Sequence, residues 1–128
     1  MRLLLDTHTF IWWANEQRKL SPHVLALCQD SANTLLLSLA AVWEMQIKLQ
    51  LGKMQLTLSL AKIITDQEQL NRINIMPIKL EHIFALDDFP MHHKDPFDRL
   101  MIAQAMVEGA VLLSRDPVFA LYPVDVQW

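Results

Sequence analysis

Three short runs that are apolar on both faces restrict the possible fold most strongly. Leu3–Leu5, Leu35–Leu37 and Val111–Leu113 show no alternation of polar and apolar residues. Strands with this pattern are buried on both faces, which is typical of parallel sheets covered by helices. The chain contains only two glycines, which argues against a loop-rich all-β protein. We therefore expect an α/β fold.

The segments around these runs carry signals for helix starts and ends. Ser21-Pro22 suits the start of a helix that runs to about Cys28, Asp95-Pro96 suits the start of another, and Gly109 suits its end. Further helices are predicted over residues 40–49, 59–69 and 80–86. Strands are predicted over residues 2–5, 34–38, 73–77, 111–114 and 124–126. This alternation predicts one domain over residues 1–128, with right-handed crossovers, a mostly parallel sheet and helices on both faces.

Composition excludes several classes of protein. With 52% hydrophobic and 20% charged residues, the chain is not disordered as a whole. No apolar run approaches the roughly 18 residues of a membrane span, and Asp6 comes too early for a signal peptide. The single Cys28 cannot form an internal disulfide, fits a reducing compartment and is expected in the core. We expect a soluble, cytoplasmic protein.

The formal net charge is −3, which limits how the chain can bind nucleic acid. Proteins that bind nucleic acid mainly by counterion release are basic. Either the partner is not nucleic acid, or the affinity comes from a local basic patch, a metal ion or a second chain.

Four carboxylates lie at or beyond the downstream ends of the predicted strands, or at the start of a helix: Asp6, Glu44, Asp98 and Asp116. The carboxyl ends of parallel strands meet at one edge of a sheet, where ligand sites of open α/β sheets occur. Carboxylates that converge repel one another unless a cation is present. Their hard oxygen atoms suit Mg²⁺ or Mn²⁺, so the set predicts a divalent metal site.

Each acid also has a purely structural explanation. Asp6 fits a strand-to-helix turn, Asp98 favours the helix dipole, and Asp116 fits the N-cap of a one-turn helix. Glu44 can pair with Lys48 at i+4, but it shares an apolar stripe with Ala40, Ile47 and Leu51, and a carboxylate on an apolar face needs a partner or a cation. The four acids together are more informative than any one of them, because all fall at equivalent positions of the predicted sheet.

Other polar and aromatic residues have both a functional and a structural interpretation. Adjacent His92 and His93 without a third ligand do not predict zinc. His8 is either a substrate contact or a packed loop residue. Trp12 and Trp13 can stack on bases, but belong more often to a core or an interface. Five basic residues are expected to flank the groove: Lys48, Lys53, Lys94, Arg99 and Arg115.

Four segments together resemble the PIN-domain family, and in particular the VapC-type toxins of bacterial toxin–antitoxin pairs. They are LLLDTHTFIWW, SLAAVWEMQIKLQLGKMQL, HHKDPFDRLMIAQA and LLSRDPVFALYPVDVQW, which cover nearly the whole chain in order. The resemblance implies a three-layer α/β/α domain and a Mg²⁺- or Mn²⁺-dependent endoribonuclease. It also implies a homodimer, inhibited by a cognate VapB-type antitoxin.

The resemblance assigns the family's acids to Asp6, Glu44, Asp98 and Asp116. Asp95 belongs to a DPFDR variant and is expected to cap the helix or support the site. In the expected mechanism Asp6 and Asp98 are the main metal ligands, Asp116 binds directly or through water, and Glu44 orients a water. A PIN nuclease acting on housekeeping RNA or on DNA, and a non-catalytic PIN-like binding module, remain alternatives.

Overall fold

The computed structural model describes all residues from Met1 to Trp128, and five parallel strands form its central sheet. The spatial order is β3-β2-β1-β4-β5, and every neighbouring pair is parallel. The strands are β1 (Arg2–Leu5), β2 (Thr34–Ser38), β3 (Asn74–Met76), β4 (Val111–Leu113) and β5 (Val126–Gln127). The predicted α/β class is confirmed.

Six α-helices connect the strands, and most begin at a side chain that caps the first turn. The helices are α1 (Thr7–Asn15), α2 (Pro22–Gln29), α3 (Leu39–Gln50), α4 (Leu60–Leu70), α5 (Leu80–Ala85) and α6 (Pro96–Glu108). Ser21, Ser38, Ser59 and Asp95 each accept a hydrogen bond from a backbone N–H of the helix that follows. Gly109 ends α6 in the left-handed conformation, with φ of 64°.

One difference from the predicted elements is at the last strand. Residues 124–126 were predicted, but the strand is Val126–Gln127. The Val124 N–H donates instead to the Tyr122 carbonyl, which makes a turn. The pairing spans only Leu112 and Leu113 of β4, because β5 has only two residues.

Strand β1 forms the centre of the core and sets the level of the sheet's carboxyl edge. Leu3, Leu4 and Leu5 have no exposed surface, as the doubly apolar pattern predicts. Leu5 is in register with Leu37 of β2 and Leu113 of β4. The next residue of each strand therefore lies at the same level of this edge.

A buried polar contact fixes α6 against β2. Gln104 of α6 is fully buried, and its side-chain oxygen accepts a 2.5 Å hydrogen bond from the Ser38 hydroxyl. Its amide nitrogen donates to the Pro77 carbonyl at 3.3 Å. Both ends of the side chain are satisfied, as a buried amide requires. The contact ties the helix that carries Asp98 to the strand that leads into α3.

A second buried polar contact joins α5 to the end of α6. The fully buried His82 accepts the Lys79 backbone N–H at Nδ1 and lies 2.8 Å from Glu108 Oε1 through Nε2. Because Nδ1 is an acceptor, the ring proton is on Nε2 and is donated to Glu108. This bond, with Lys79 and Arg2, lowers the pKa of Glu108. The His82 ring is thereby committed to structure, since neither nitrogen is free to bind a metal.

None of the six helices is both long and apolar enough to cross a lipid bilayer.

Candidate functional site

A polar cleft of about 590 Å³ opens at the carboxyl edge of the sheet. Its lining includes five carboxylates, against two permanent cations, Lys48 and Arg115. The five acids are Asp6, Glu44, Asp95, Asp98 and Asp116. All four acids singled out from the sequence thus lie in one cleft, although they come from four separate segments of the chain.

Asp6 lies between the end of β1 and the start of α1. It follows β1 directly, and its Oδ1 accepts the Thr9 N–H at 2.8 Å, so it is also the N-cap of α1. The side chain is largely buried, and this burial raises the pKa of Asp6, while Ser114 and Thr9 partly offset the shift. Asp6 caps α1 as its structural explanation predicts, and capping uses only one of its carboxylate oxygens.

Glu44 is buried on α3 and held by two neighbours. The Thr7 hydroxyl donates to its Oε1 at 2.5 Å, and Lys48 Nζ lies 3.3 Å from its Oε2. The expected pair with Lys48 is present, so a cation of the protein already faces this acid. Leu51, expected on the same apolar stripe, lies beyond the end of α3 and is mostly exposed. Glu44 therefore has partners within the protein and does not require a metal to balance its burial.

Asp95 and Asp98 divide the tasks at the start of α6. Asp95 Oδ1 accepts the backbone N–H groups of Phe97 and Asp98, at 2.9 and 3.1 Å, and so caps the helix. The Asp98 carboxylate makes no capping bond and faces the cleft. Burial, with the nearby charges of Asp95 and Glu44, raises the pKa of Asp98 to about 6, against the lowering effect of His93.

His93 is the nearest neighbour that supports Asp98. Its Nε2 lies 2.7 Å from Asp98 Oδ2, and its backbone N–H donates to the Tyr122 hydroxyl at 2.9 Å. One ligand atom from each of His93, Asp95 and Asp98 lies within 4.8 Å of the others. His92 instead packs edge-on against Tyr122. The two histidines thus have separate roles, and zinc bound by the pair is not supported.

Asp116 and Arg115 follow the end of β4. Asp116 Oδ1 accepts the Val118 N–H at 3.0 Å and caps a 3₁₀ turn over Pro117–Leu121. Its own N–H donates to the Ser114 hydroxyl at 3.1 Å. The Arg115 guanidinium lies over the Trp12 ring, 5.4 Å from the ring centroid. Asp116 is more exposed than the other three predicted acids.

Two residues of this site were not predicted from the sequence, and three basic residues that were expected at the groove do not line it. Neither the Thr7 hydroxyl on Glu44 nor the His93 ring on Asp98 was anticipated, since each bond joins residues whose proximity depends on packing. Of the five basic residues expected at the groove, only Lys48 and Arg115 line it. The other three do not, and they are Lys53, Lys94 and Arg99. Arg99 turns away toward the Met91 sulfur and the Leu86 carbonyl.

The donor set fits a hard divalent cation. The cleft offers carboxylate oxygens from several elements and no thiolate, which suits Mg²⁺ or Mn²⁺ better than a soft metal. Burial raises the pKa values of Asp6 and Asp98, which means that the protein alone compensates their charge poorly. A cation between them would remove this cost.

Comparisons with solved structures give the same fold. A chain in the crystal structure of VapBC2 from Rickettsia felis, bound to a DNA fragment from their promoter, superposes with a TM-score of 0.74 at 16% identity; 99% of this chain and 98% of that chain are covered. DNA-bound VapBC from Salmonella typhimurium gives 0.69 at 12% identity, covering 99% and 97%. FitAcB from Neisseria gonorrhoeae gives 0.61 at 17% identity, covering 97% and 95%.

A search of curated proteins gives no match. The sequence profile of the PIN domain, by contrast, matches residues 3–124, which is nearly the whole chain and includes all five acids of the cleft. The chain therefore belongs to the PIN domain family.

Proposed function

We propose that this PIN domain is a metal-dependent endoribonuclease and acts as the toxin of a VapBC-type pair. The observation that carries the proposal is the convergence of Asp6, Glu44, Asp98 and Asp116 on one cleft that contains more acids than cations. Helix capping and the contacts with neighbouring side chains occupy only some of the carboxylate oxygens, so other oxygens are available to a ligand.

In the proposed reaction Asp6 and Asp98 are the main ligands of Mg²⁺ or Mn²⁺. Asp116 binds at the more open side of the cleft, directly or through a water molecule, and Glu44 orients the attacking water. When bound, the metal supplies Lewis-acid polarisation of the phosphodiester and offsets the charge of the acidic cleft. RNA then enters a cleft that would otherwise repel it.

Three neighbouring residues hold two of the acids in position. Thr7 and Lys48 occupy one oxygen each of Glu44, so the direction of this carboxylate is fixed before a substrate arrives. His93 binds one oxygen of Asp98 and leaves the other for a ligand. Such outer contacts orient ligands and typically change metal affinity by about 10- to 100-fold when removed.

The toxin assignment is supported by the structural neighbours and by the resemblance in sequence. Structures of VapBC from three bacteria share this fold over at least 99% of the chain, including VapBC-1 from nontypeable Haemophilus influenzae at 17% identity and a TM-score of 0.59. We therefore propose a VapB-type antitoxin as partner, a homodimer and a cytoplasmic location. Several large apolar side chains are exposed and available for such contacts: Trp43, Leu80, Ile83 and Phe84.

Loss of the metal or of its ligands should abolish RNA cleavage. We expect purified protein to cut RNA with Mn²⁺ or Mg²⁺ and to stop in EDTA. Asp6→Asn and Asp98→Asn should each lower the rate on the order of 100-fold or more, because each removes a charged ligand. Asp125→Asn is the matched control, since Asp125 is exposed, does not line the cleft and makes no side-chain hydrogen bond. Equal cleavage in all these samples would refute the nuclease proposal.

The Asp98 carboxyl should make the metal-free protein less stable as pH rises. Its pKa is about 6 in the folded protein, against 3.8 as the reference value. Folding therefore favours the protonated form, and the stability it contributes below pH 3.8 is lost as pH rises through 6, by up to about 3 kcal/mol. In EDTA, we expect Asp98→Asn to raise the free energy of unfolding at pH 7.5 and to have little effect near pH 4.

The control for the pH experiment is Mn²⁺. Added metal should stabilise the wild type at pH 7.5 much more than Asp98→Asn, because the metal replaces the missing compensation of charge. Urea unfolding followed by circular dichroism measures both effects. An Asp98→Asn variant that is less stable than the wild type at pH 7.5 in EDTA would contradict the raised pKa.

Expression should arrest bacterial growth, and the product of an adjacent small gene should restore it. The Asp98→Asn variant, produced at the same level, should be harmless, because toxicity depends on cleavage. Colony counts after induction, with and without the neighbouring gene, measure both effects. Growth unaffected by the wild-type protein, combined with RNA cleavage in vitro, would favour a PIN nuclease that acts on housekeeping RNA or on DNA. No cleavage and no metal binding would favour a non-catalytic binding module.

A further inference from the structure

One wall of the acidic cleft is aromatic and cationic. His8 and Trp12 lie one turn apart on α1, and both line the cleft together with Arg115. The His8 and Trp12 rings are 5.8 Å apart between centroids and inclined by 36°. The Arg115 guanidinium lies over the same Trp12 ring, 5.4 Å from its centroid. We call these three residues the aromatic wall.

Packing explains only part of this arrangement. Trp12 is half-buried and meets Trp128 edge-on at 5.9 Å, so its position is fixed by the end of the chain. His8 is exposed and makes no hydrogen bond, although it lines a cleft rich in acids. Arg115 forms no ion pair, even with its neighbour Asp116. Of the two permanent cations of the cleft, Lys48 is paired with Glu44, whereas Arg115 contacts the Trp12 ring and has no carboxylate partner.

We propose that the aromatic wall is a nucleobase subsite, which receives the unpaired base next to the phosphate that is cut. This inference rests on the proposed nuclease function and specifies its substrate. The exposed His8 ring and the Arg115 guanidinium that lies over Trp12 offer surfaces on which a base can stack, with Trp12 as their support, and Arg115 also offers N–H donors to the adjoining phosphate. A base within a duplex has no free face, so the substrate is a single strand, a loop or a bulge.

Because the cleft is acidic, we expect stacking to contribute more to RNA binding than electrostatic attraction does. Five carboxylates line the cleft into which the phosphate would have to enter, and the whole chain carries a formal net charge of −3. Binding by counterion release is therefore weak for this protein. Stacking does not depend on the charge of the protein, and loss of one stacking contact typically changes affinity by about 10- to 100-fold.

The test measures binding of RNA without cleavage. Fluorescein-labelled oligoadenylate of about twelve nucleotides, a length that covers such a groove, is titrated with the Asp98→Asn protein, and anisotropy gives the Kd. In this background Trp12→Leu and Arg115→Ala should each weaken binding by about 10- to 100-fold. Leu70→Ala and Lys53→Ala are the controls and should leave the Kd unchanged, because both residues are exposed and outside the cleft. The same RNA within a duplex should bind at least about 10-fold more weakly than the single strand.

An abasic strand separates stacking from a structural effect. A strand of the same length without bases should bind the parent protein more weakly than oligoadenylate, but Trp12→Leu should no longer distinguish the two strands. His8→Ala, at an exposed position that folding does not need, should show part of the same loss. Circular dichroism confirms that each variant is folded.

Two outcomes overturn the subsite and keep the nuclease. They are an unchanged Kd for folded Trp12→Leu and His8→Ala, and equal discrimination against the abasic strand by parent and variant. Either one, in a protein whose wild type cleaves RNA, would assign the wall to another partner such as a protein segment. A wild type that neither binds nor cleaves RNA would instead overturn the proposed function together with the subsite.

Discussion

The parallel, in-register pairing of β1 with both β2 and β4 is the constraint on which the site depends. Leu5 pairs with Leu37 and with Leu113, so all three strands end at one level. Each strand then turns toward an acid: Asp6 at once, Glu44 by way of α3, and Asp116 two residues after Ser114. The buried Gln104 contact adds α6, and with it Asp98, to the same edge. Convergence of charge is thus a consequence of the sheet's topology.

The protein's own side chains compensate the negative charge of these acids only in part, and the uncompensated charge favours a bound cation. Lys48 and Thr7 satisfy Glu44, and His93 satisfies one side of Asp98. Burial nevertheless raises the pKa of Asp98 to about 6 and raises that of Asp6 as well. A site that is destabilised when empty and stabilised by a cation is a common compromise between stability and function. In the proposed subsite, stacking on the aromatic wall adds binding that depends less on the net charge of the protein.

Much of the fold could be predicted from the sequence because its signals are local. Apolar runs such as Leu3–Leu5 indicate doubly buried strands, and Asp95-Pro96 with Gly109 marks the two ends of α6. Asp6, Asp98 and Asp116 could be singled out for the same reason, since each lies near the start of a helix or 3₁₀ turn. Glu44 lies in the middle of α3, and it was singled out by its apolar stripe and by the family resemblance. The bonds Thr7–Glu44 and His93–Asp98 could not be found, because their geometry depends on how helices pack. Asp95 and Asp98 show both cases: spacing suggested only that one acid was enough for capping, the family resemblance favoured Asp95 for that role, and the structure shows Asp95 as the cap.

The central claim is that the acids at the carboxyl edge of the sheet form a divalent metal site. Anomalous diffraction from a crystal soaked in Mn²⁺ tests this most directly, because it locates the metal without reference to activity. We expect a peak in the cleft at roughly 2.1 Å from carboxylate oxygens of Asp6 and Asp98, as is usual for small hard cations. A crystal with an open cleft and no peak there at saturating Mn²⁺ would contradict this account.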